Sequence, residues 1–382
     1  MHHETDILII GGGLAGLTSA IHLSKAGLKV ILVEKNAYPN HKVCGEYISN
    51  EVLPYLQALD ADPLALQPSL INKLRFSTVS GSTINAQLPL GGFGVSRYSL
   101  DEFLYKKALA SGCTVMQDTV TDISFRNDQF NVKTPNQTFE AKIVLGAHGK
   151  RSALDHKLKR NFISEKSPWL AVKAHYRGDF PDDLIALHNF SGGYCGASKV
   201  ENDLLNICYL VDYKTFKSYK NIEEHRKNVL YKNKYLEEIF ENATMEFEIP
   251  LSISQISFQK KECVKDHILM IGDTAGLIHP LCGNGMAMAI HSAKISSELV
   301  IDYFKNGQRK QDNRITLESN YRKLWHKNFN RRMKMGSILS GLLRKERLSE
   351  YMLNGLAKFP ALLPVIIKQT HGKTLSVAAS CL

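Results

Sequence analysis

A glycine-rich turn lies close to the N-terminus, between an apolar run and a helical pattern. Ile7-Leu-Ile-Ile10 is typical of a buried parallel strand, and Gly11-x-Gly13-x-x-Gly16 follows it directly. The helical pattern ends at Gly27, and Lys29–Glu34 is a second strand-like stretch. Strand, glycine turn, helix and strand form one right-handed βαβ unit, which predicts a parallel sheet covered by helices.

Each glycine of this turn has its own physical task. Gly11 allows the tight turn, Gly13 lets the backbone approach a pyrophosphate, and Gly16 lets helix and strand pack closely. The helix N-terminus at Ala15 favours the negative charge of the phosphates. Glu34, followed by Lys35, is placed to accept hydrogen bonds from a ribose hydroxyl. The sequence therefore predicts a dinucleotide-binding domain.

Composition excludes several classes of protein. The 382 residues are 44% hydrophobic and 22% charged, as in ordinary globular proteins, and no apolar run approaches the roughly 20 residues of a membrane-spanning helix. Seven cysteines occur without any CxxC spacing. This pattern argues against a disulfide framework and against a metal site, and it predicts a reducing, cytoplasmic location.

The positive charge is concentrated near the C-terminus. The net charge is +11, and between residues 322 and 373 twelve Lys and Arg face only two acids, Glu346 and Glu350. Six leucines and one methionine at helical spacing separate these basic residues (Leu339, Leu342, Leu343, Leu348, Met352, Leu353 and Leu356). Two interpretations remain: a helical cover with a solvated basic face, or peripheral contact with the anionic inner face of a membrane. No nucleic-acid partner is expected, because no recognition motif accompanies the charge.

A second motif occupies the stretch from Ile268 to Met286. Gly272 and Asp273 end a buried strand, and Gly283-Asn284-Gly285 precedes a predicted helix. The stretch resembles the second flavin motif of the p-hydroxybenzoate hydroxylase and geranylgeranyl reductase superfamily. The resemblance implies that Asp273 holds ribityl hydroxyls. It also implies that the helix N-terminus at Gly283, Gly285 and Met286 faces the flavin pyrimidine edge, where a reduced flavin carries negative charge.

Further segments extend this resemblance over about residues 1–310. Cys44-Gly45-Glu46-Tyr47 is similar to the Cys-Gly-Glu turn beside the flavin of geranylgeranyl reductases. Arg97 matches an arginine that reaches the cofactor at a helix start, and Val120 matches a position whose backbone meets the adenine. His148 departs from the pattern, because the superfamily usually has Asp there. The resemblance implies FAD as the cofactor.

The resemblance also implies an α/β fold with three parts. A discontinuous Rossmann-type FAD-binding domain is expected from residues 1–75, 95–155 and 262–310. An inserted substrate domain with a mixed or antiparallel β-sheet is expected from residues 76–94 and 156–261. A basic helical C-terminal segment, residues 311–382, completes the chain.

The resemblance implies an enzyme, an FAD-dependent oxidoreductase. Gly276 is typical of reductases and halogenases, the Cys-Gly-Glu turn favours the reductases, and the Trp-x-Trp-x-Ile-Pro signature of halogenases is absent. The leading hypothesis is reduction of C=C bonds in a hydrophobic isoprenoid, lipid or polyketide-like substrate. The alternatives are an FAD monooxygenase that hydroxylates an aromatic or polyketide substrate with NAD(P)H and O2, and a non-catalytic electron-transfer flavoprotein.

No residue identifies itself as catalytic from the sequence alone. Cys44 is either a proton donor or a small residue in a tight turn, and Glu46 is either a pocket acid or a turn cap. His279 lies near the ring in the superfamily, although a packing role fits equally well. The chain has no second glycine motif in a strand–helix setting. The electron donor is therefore either NAD(P)H that visits transiently, or a quinol or another protein.

Overall fold

Two β-sheets organise the chain. The computed structural model describes residues 1–305, 312–343, 351, 355–356 and 362–376. The strands are β1 (His2–Ile10), β2 (Val30–Glu34), β3 (Tyr47–Ser49), β4 (Ser69–Ser77), β5 (Thr83–Gly94), β6 (Thr114–Gln117), β7 (Asp122–Arg126), β8 (Gln129–Lys133), β9 (Thr138–Gly146), β10 (Trp169–Gly178), β11 (Leu184–Phe190), β12 (Gly193–Lys199), β13 (Leu205–Asp212), β14 (Ala243–Met245), β15 (Leu251–Ser254), β16 (Val264–Lys265) and β17 (Ile268–Met270).

Helices cover both sheets. They are α1 (Leu14–Lys25), α2 (Leu53–Ala58), α3 (Arg97–Ala110), α4 (Ala153–Lys157), α5 (Tyr213–Lys217), α6 (Ile222–Asn228), α7 (Lys234–Glu241), α8 (Gly285–Lys305), α9 (Asp312–Leu343) and α10 (Leu362–Thr370). Short 3₁₀ helices at Asn50–Val52, Pro63–Leu66, Asn161–Ile163, Glu201–Asp203, Leu230–Lys232, Gly272–Thr274 and Pro280–Cys282 complete the connections.

The first sheet carries the N-terminal βαβ unit. Its strand order is β16-β17-β9-β1-β2-β6, and β8 and β7 extend it beside β9. β1 pairs in parallel with β2 and with β9, and Ile7 lies opposite both Val30 and Ile143. The apolar run of β1 is fully buried from Ile7 to Ile9 because α1, packed against α3 and α8, covers it.

The second sheet has the order β14-β10-β13-β12-β11-β4-β5-β3, and β15 also pairs with β10. Its strands are antiparallel except for the parallel pair β4 and β11. Alternate residues of β10 point to opposite faces of the sheet. Val172 and Ala174 pack in the core that α5–α7 cover, whereas Trp169 and Ala171 lie on the opposite face. That opposite face packs against Leu277, Leu281 and Leu356.

These elements agree with the predicted architecture, an α/β fold with a parallel sheet, an inserted mixed sheet and helices in the described part of the C-terminal segment. The division into domains remains a prediction. β4 (Ser69–Ser77) belongs to the second sheet and crosses the expected boundary at residue 75, because its register with β5 runs without interruption from Lys73 to Ser77.

The C-terminal helices pack on both parts of the molecule. α9 lies against α8, with Tyr321 and Phe329 fully buried, and α10 contacts α9 and β5. In the part of the chain that the structure describes, no helix combines the length and apolar character needed to cross a membrane. Leu348, Met352 and Leu353 of the predicted amphipathic pattern lie outside the described residues, as do the side chains of Leu342 and Leu343.

Candidate functional site

A cavity of about 720 Å³ lies between the two sheets. Its first part, the glycine-turn half, is lined by residues from segments 11–47, 97, 147–151, 271–273 and 283–289. Its second part, the apolar half, is lined by residues from segments 74–88, 171–210, 251–256, 277–282 and 339–371. One continuous cavity therefore joins the motifs predicted to bind the cofactor to the inner face of the second sheet.

The glycine turn is shaped by close backbone contacts. Gly11 has φ +106°, and a Cβ atom there would collide with the backbone of Ala147 and His148. A Cβ on Gly16 would collide with the carbonyl oxygen of Gly11, so Gly16 acts in packing and does not line the cavity. Gly13 caps α1 without a side chain, which leaves the first-turn N–H groups open to an anion.

Glu34 holds the turn from the end of β2. Its carboxylate accepts hydrogen bonds from the backbone N–H of Gly12 at 2.6 Å and of Asn36 at 3.0 Å. Tyr38 Oη donates to the carbonyl oxygen of Gly12 at 2.6 Å. Glu34 and Lys35 both line the cavity, so the acid that the sequence predicts for a ribose also orders the phosphate turn.

Arg97 lies beside Gly13 at the start of α3. Its guanidinium donates two hydrogen bonds of 2.7 Å to Asp101, and Lys42 Nζ donates a third of 2.7 Å to the same carboxylate. Burial opposes the charge of Asp101, but Arg97 and Lys42 hold the pKa of this carboxyl group below its ordinary value. The resulting pair of cations around one anion leaves net positive charge at the edge of the glycine turn.

Glu46 is the centre of a buried ionic cluster. It is fully buried with φ +54°, and its carboxylate accepts hydrogen bonds from Lys173 Nζ at 3.0 Å, His175 Nε2 at 2.6 Å and the Arg97 N–H at 2.8 Å. Burial alone would raise the pKa of Glu46, but His175 and Lys173 hold it below its ordinary value. Glu46 is therefore an anion that ties the Cys44 turn to β10 and to α3.

Sequence reasoning missed Lys173 and His175. Both lie on β10, two residues apart and therefore on the same face of the strand, and both are almost fully buried. The available signal was a series of polar residues at alternate positions, Lys173, His175 and Arg177, in a strand that is otherwise largely apolar. Their partner Glu46 is separated from them by more than 120 residues, so only the folded chain reveals the cluster.

His148 occupies the position at which the resembled superfamily usually has Asp, and its side chain contacts another acid, Asp155. His148 Nε2 lies 3.1 Å from Asp155 Oδ1, which also accepts a hydrogen bond from the fully buried Arg160 at 3.1 Å. Arg160 also donates to the carbonyl oxygen of Thr274 at 2.9 Å. These bonds connect the Gly146–Ser152 segment to the second motif.

Lys261 supports the second motif from outside the cavity lining. Its Nζ donates to the carbonyl oxygens of Lys150 and Asp273 at 2.7 and 2.8 Å. Burial lowers the pKa of Lys261 to about 8, although Asp273 and Asp155 oppose this shift. The backbone of Gly272 and Asp273 is thereby fixed at the cavity wall.

The Gly283–Gly285 turn leads into α8, a helix of 21 residues. Gly283 has φ +62°, and a Cβ added there would lie 3.3 Å from the ring of Tyr47. Asn284 Nδ2 donates to the carbonyl oxygen of Thr370 at 2.7 Å. The N-terminus of α8 therefore faces the cavity at Gly285 and Met286, where its positive end stabilises negative charge.

Most of the predicted site residues line this one cavity. They are Gly11, Gly13, Ala15, Glu34, Lys35, Cys44, Gly45, Glu46, Tyr47, Arg97, Gly272, Asp273, Gly283, Gly285 and Met286. Three predicted residues are not among the lining residues. Gly16 lies in the packed turn, Val120 is half-buried against the main core, and His279 is buried among the rings of Trp169, Tyr194 and Phe258.

The apolar half contrasts with the glycine-turn half. Among its lining residues that the structure describes, none is Asp, Glu, Lys or Arg. Leucine, isoleucine and aromatic side chains dominate it: Leu74, Phe76, Ile84, Leu88, Ile185, Leu187, Tyr194, Leu210, Leu251, Ile253, Ile256, Leu277, Ile278, Leu281, Leu339, Leu356, Leu363, Ile366 and Ile367. Such a lining suits a hydrocarbon ligand.

The residues present fit FAD. The open N-terminus of α1 and Arg97 suit a pyrophosphate, and Glu34 suits a ribose. Asp273 suits ribityl hydroxyls, and the N-terminus of α8 suits the electron-rich edge of the flavin ring. All of these groups line the same continuous cavity.

Comparison with known proteins agrees with this geometry. Residues 4–301 match the family model described as an FAD binding domain. Digeranylgeranylglycerophospholipid reductase 2 of Methanothermobacter thermautotrophicus is 24% identical over 354 residues, which covers 88% of each chain.

Solved structures share the fold. The flavin-dependent brominase Bmp2 superposes with a TM-score of 0.78 at 18% identity, over 96% of this chain and 93% of its own. A geranylgeranyl bacteriochlorophyll reductase-like protein from Thermoplasma acidophilum gives a TM-score of 0.75 at 18% identity, over 100% of this chain and 95% of its own.

Proposed function

The chain belongs to the FAD binding domain family, and we propose that this FAD-dependent oxidoreductase reduces C=C bonds of an isoprenoid-type lipid. The observation that carries the proposal is the uncharged apolar half, which continues directly from the glycine-turn half. The many leucine, isoleucine and aromatic side chains that line the apolar half suit an unsaturated hydrocarbon chain bound next to the cofactor. The similarity to a digeranylgeranylglycerophospholipid reductase supports the same substrate class.

FAD, when bound, supplies the two-electron redox chemistry. The chain's own residues bind and orient both ligands, and the apolar half provides a hydrocarbon surface along which the unsaturated chain can lie. Reduction of a C=C bond also needs a proton. Because Lys173 and His175 hold Glu46 as an anion, we assign its role to positioning the turn, and we assign proton delivery to the Cys44 thiol or to solvent.

A direct test measures the product formed without oxygen. The FAD-loaded protein is reduced anaerobically with dithionite and mixed with vesicles that contain digeranylgeranylglycerophospholipid. We expect the lipid to gain two hydrogen atoms per reduced double bond, as detected by mass spectrometry. Parallel reactions with NADH, NADPH or a reduced quinone identify the physiological class of electron donor.

Variants of Gly196 connect that activity to the apolar half. Gly196 lines it on β12, and a Cβ there would meet only ordinary contacts with Leu187 and Cys208. Gly196→Phe should therefore block the apolar half and lower turnover by at least about tenfold while FAD stays bound. Gly196→Ala, the matched control, should retain turnover.

Other outcomes decide between the remaining functions. A product that gains oxygen only in air, with NAD(P)H consumed, would replace the reductase by a monooxygenase. Retained FAD without turnover of any lipid or aromatic substrate would favour an electron-transfer flavoprotein.

Lipid access suggests a second part of the proposal, peripheral contact of the C-terminal helices with an anionic membrane. Ile338, Tyr351 and Val365 are exposed by 47, 76 and 52%, and Lys334 and Lys368 are exposed near them in the chain. Leu339, which follows Ile338, and Ile366, which follows Val365, line the apolar half. An apolar and basic surface beside the cavity would let a lipid chain enter from the bilayer.

Vesicle sedimentation tests this contact. We expect the protein to sediment with vesicles that contain phosphatidylglycerol and to remain in solution with neutral vesicles, because each basic residue near an anionic surface contributes about 1 kcal/mol. The double variant Ile338→Glu/Val365→Glu should weaken binding severalfold. Ile249→Glu, at a residue that is 76% exposed outside the C-terminal helices, is the matched control. Equal binding by all three proteins would refute the contact.

A further inference from the structure

A buried lysine joins two segments of the cavity wall. Lys261 Nζ donates hydrogen bonds to the carbonyl oxygens of Lys150 at 2.7 Å and of Asp273 at 2.8 Å. These acceptors belong to the Gly146–Ser152 segment and to the second motif, and both residues line the cavity. Lys261 is not among the lining residues, so it affects the cavity through the backbone of these two segments.

Both segments contact the glycine turn. A Cβ atom on Gly11 would collide with the carbonyl oxygen of Ala147, which belongs to the first segment. A Cβ atom on Gly272, in the second motif, would lie 3.0 Å from the Cβ atom of Ala15 in the first turn of α1. The hydrogen bonds of Lys261 therefore connect the backbone on two sides of the predicted pyrophosphate site.

The ammonium group of Lys261 is buried without a carboxylate partner. The residue is 2% exposed, and it forms no ion pair with any acid in the part of the chain that the structure describes. The carboxylates of Asp155 and Glu262 pair with Arg160. The remaining neighbour of Nζ is the ring of Phe162, whose centroid lies at 4.3 Å. Because a buried cation without a counter-ion is costly, an anion is expected near it when the site is in use.

The chain itself stabilises this charge only in part. Burial lowers the pKa of Lys261 to about 8. The carboxylates of Asp273 and Asp155 oppose this shift, whereas the cations of Arg160 and Lys150 add to it. An anion bound at the adjoining cavity wall would raise the pKa, because it stabilises the ammonium form. The pyrophosphate of FAD is an anion of this kind.

We propose that Lys261 is a positioning residue for FAD: its ammonium form holds the two wall segments in the geometry that binds the cofactor, so that FAD binding is coupled to protonation of this side chain. A charged donor makes stronger hydrogen bonds to carbonyl oxygens than a neutral amine does, and only the charged form attracts the pyrophosphate. Where the amine is neutral before binding, FAD binding takes up one proton from the solvent and converts the amine into the ammonium group. The proposal concerns cofactor binding alone and holds whatever reaction follows.

Two substitutions remove the titration in different ways. Lys261→Gln keeps an amide donor but carries no charge, and Lys261→Arg keeps a positive charge throughout the pH range of the experiment. Lys260→Gln, at the exposed neighbouring residue, is the matched control for the loss of a lysine. Thermal unfolding of each full-length apoprotein checks the fold.

The experiment measures proton uptake during FAD binding. FAD is titrated into each apoprotein by isothermal titration calorimetry, in pairs of buffers that differ in ionisation enthalpy. At about pH 8.5 the parent protein and Lys260→Gln should take up roughly half a proton or more per FAD, and at about pH 6.5 almost none. Neither Lys261 variant should show this uptake.

Affinity gives a second readout. The FAD affinity of the parent protein should fall about three- to tenfold between about pH 7 and pH 9, because binding then requires a proton. Lys261→Gln should bind FAD about tenfold more weakly than the parent protein at about pH 7, and its affinity should change less than twofold over the same range.

Several results would overturn the proposal. One is a parent protein that takes up no proton at about pH 8.5. Another is uptake that persists unchanged in a folded Lys261 variant, because a different group would then carry the proton. Lys261→Gln protein that binds FAD as tightly as the parent protein at about pH 7 would show that the lysine does not position the wall. Failure of the lipid reduction assay would leave these titrations unaffected.

Discussion

Replacing Gly11 with alanine should abolish FAD binding and destabilise the fold. Gly11 has φ +106°, a backbone conformation that L-residues rarely adopt, and an added Cβ would collide with the carbonyl group of Ala147. Backbone strain and overpacking together are expected to cost about 2–5 kcal/mol of the free energy of unfolding. The displaced turn would also no longer present the N-terminus of α1 to the pyrophosphate. Denaturant unfolding of the apoprotein and FAD titration measure the two effects separately.

Gly27→Ala is the matched control for Gly11→Ala. Gly27 has φ +80°, but an added Cβ would meet nothing within 4 Å. The control therefore contains the strain of a positive φ without the collision, and it lies at the far end of α1. We expect a loss of about 1 kcal/mol and normal FAD binding. Gly11→Ala protein that binds FAD as tightly as the control would contradict the assigned role of the turn.

Replacing Lys173 with methionine should destabilise the protein by about 3–5 kcal/mol, because it leaves the Glu46 carboxylate buried without its ammonium partner. Both side chains are fully buried, so water cannot replace the lost interaction. Only His175 and the Arg97 N–H would remain to satisfy the carboxylate. Denaturant unfolding of the parent protein and the variant at neutral pH gives the difference in the free energy of unfolding.

The pH dependence of this difference has a defined sign. In the parent protein the pKa of Glu46 lies below its ordinary value, so the ionised carboxylate contributes stability at neutral pH that is lost as the pH falls through the folded-state pKa. In Lys173→Met the carboxylate lacks its cation, and protonation at acidic pH relieves the buried charge. The difference in the free energy of unfolding between the parent protein and Lys173→Met should therefore be largest at neutral pH and should decrease on acidification.

Two further variants control for the loss of a lysine as such. Lys106→Met removes an exposed ion pair with Glu102 and should change stability by less than about 1 kcal/mol. The double variant Glu46→Gln/Lys173→Met removes both charges and should recover part of the stability that Lys173→Met loses. A Lys173→Met protein as stable as Lys106→Met would show that the cluster contributes little to the fold.

The cofactor motifs were predictable from the sequence because each depends on local backbone geometry. Gly11 and Gly283 mark turns with positive φ, and Glu34 ends a strand that pairs with the strand before the turn. Such requirements restrict the residue types at fixed spacing along the chain. Local geometry predicted a dinucleotide-binding domain, and the resemblance of the motifs to a known superfamily implied the fold class and FAD, both of which are confirmed.

The partners of these motifs were not predictable in the same way. Lys173 and His175 bind Glu46 across 127 and 129 residues of sequence, and Arg332 binds Glu51 across 281 residues. No spacing rule relates residues that far apart. The sequence showed only that polar side chains occur in apolar settings, which allows many different pairings.

His279 and His371 show that membership of a sequence motif does not decide whether a side chain lines the cavity. His279 lies within a recognisable motif, yet it packs among aromatic rings and does not line the cavity. His371 lies outside every motif, yet it lines the cavity. By itself, the sequence determined the glycine turns and the N-terminal βαβ unit, because these follow from short-range backbone geometry, and its motifs carried the resemblance that implied FAD. Only the tertiary structure decided which side chains surround the ligands, because burial and pairing arise where distant segments pack together.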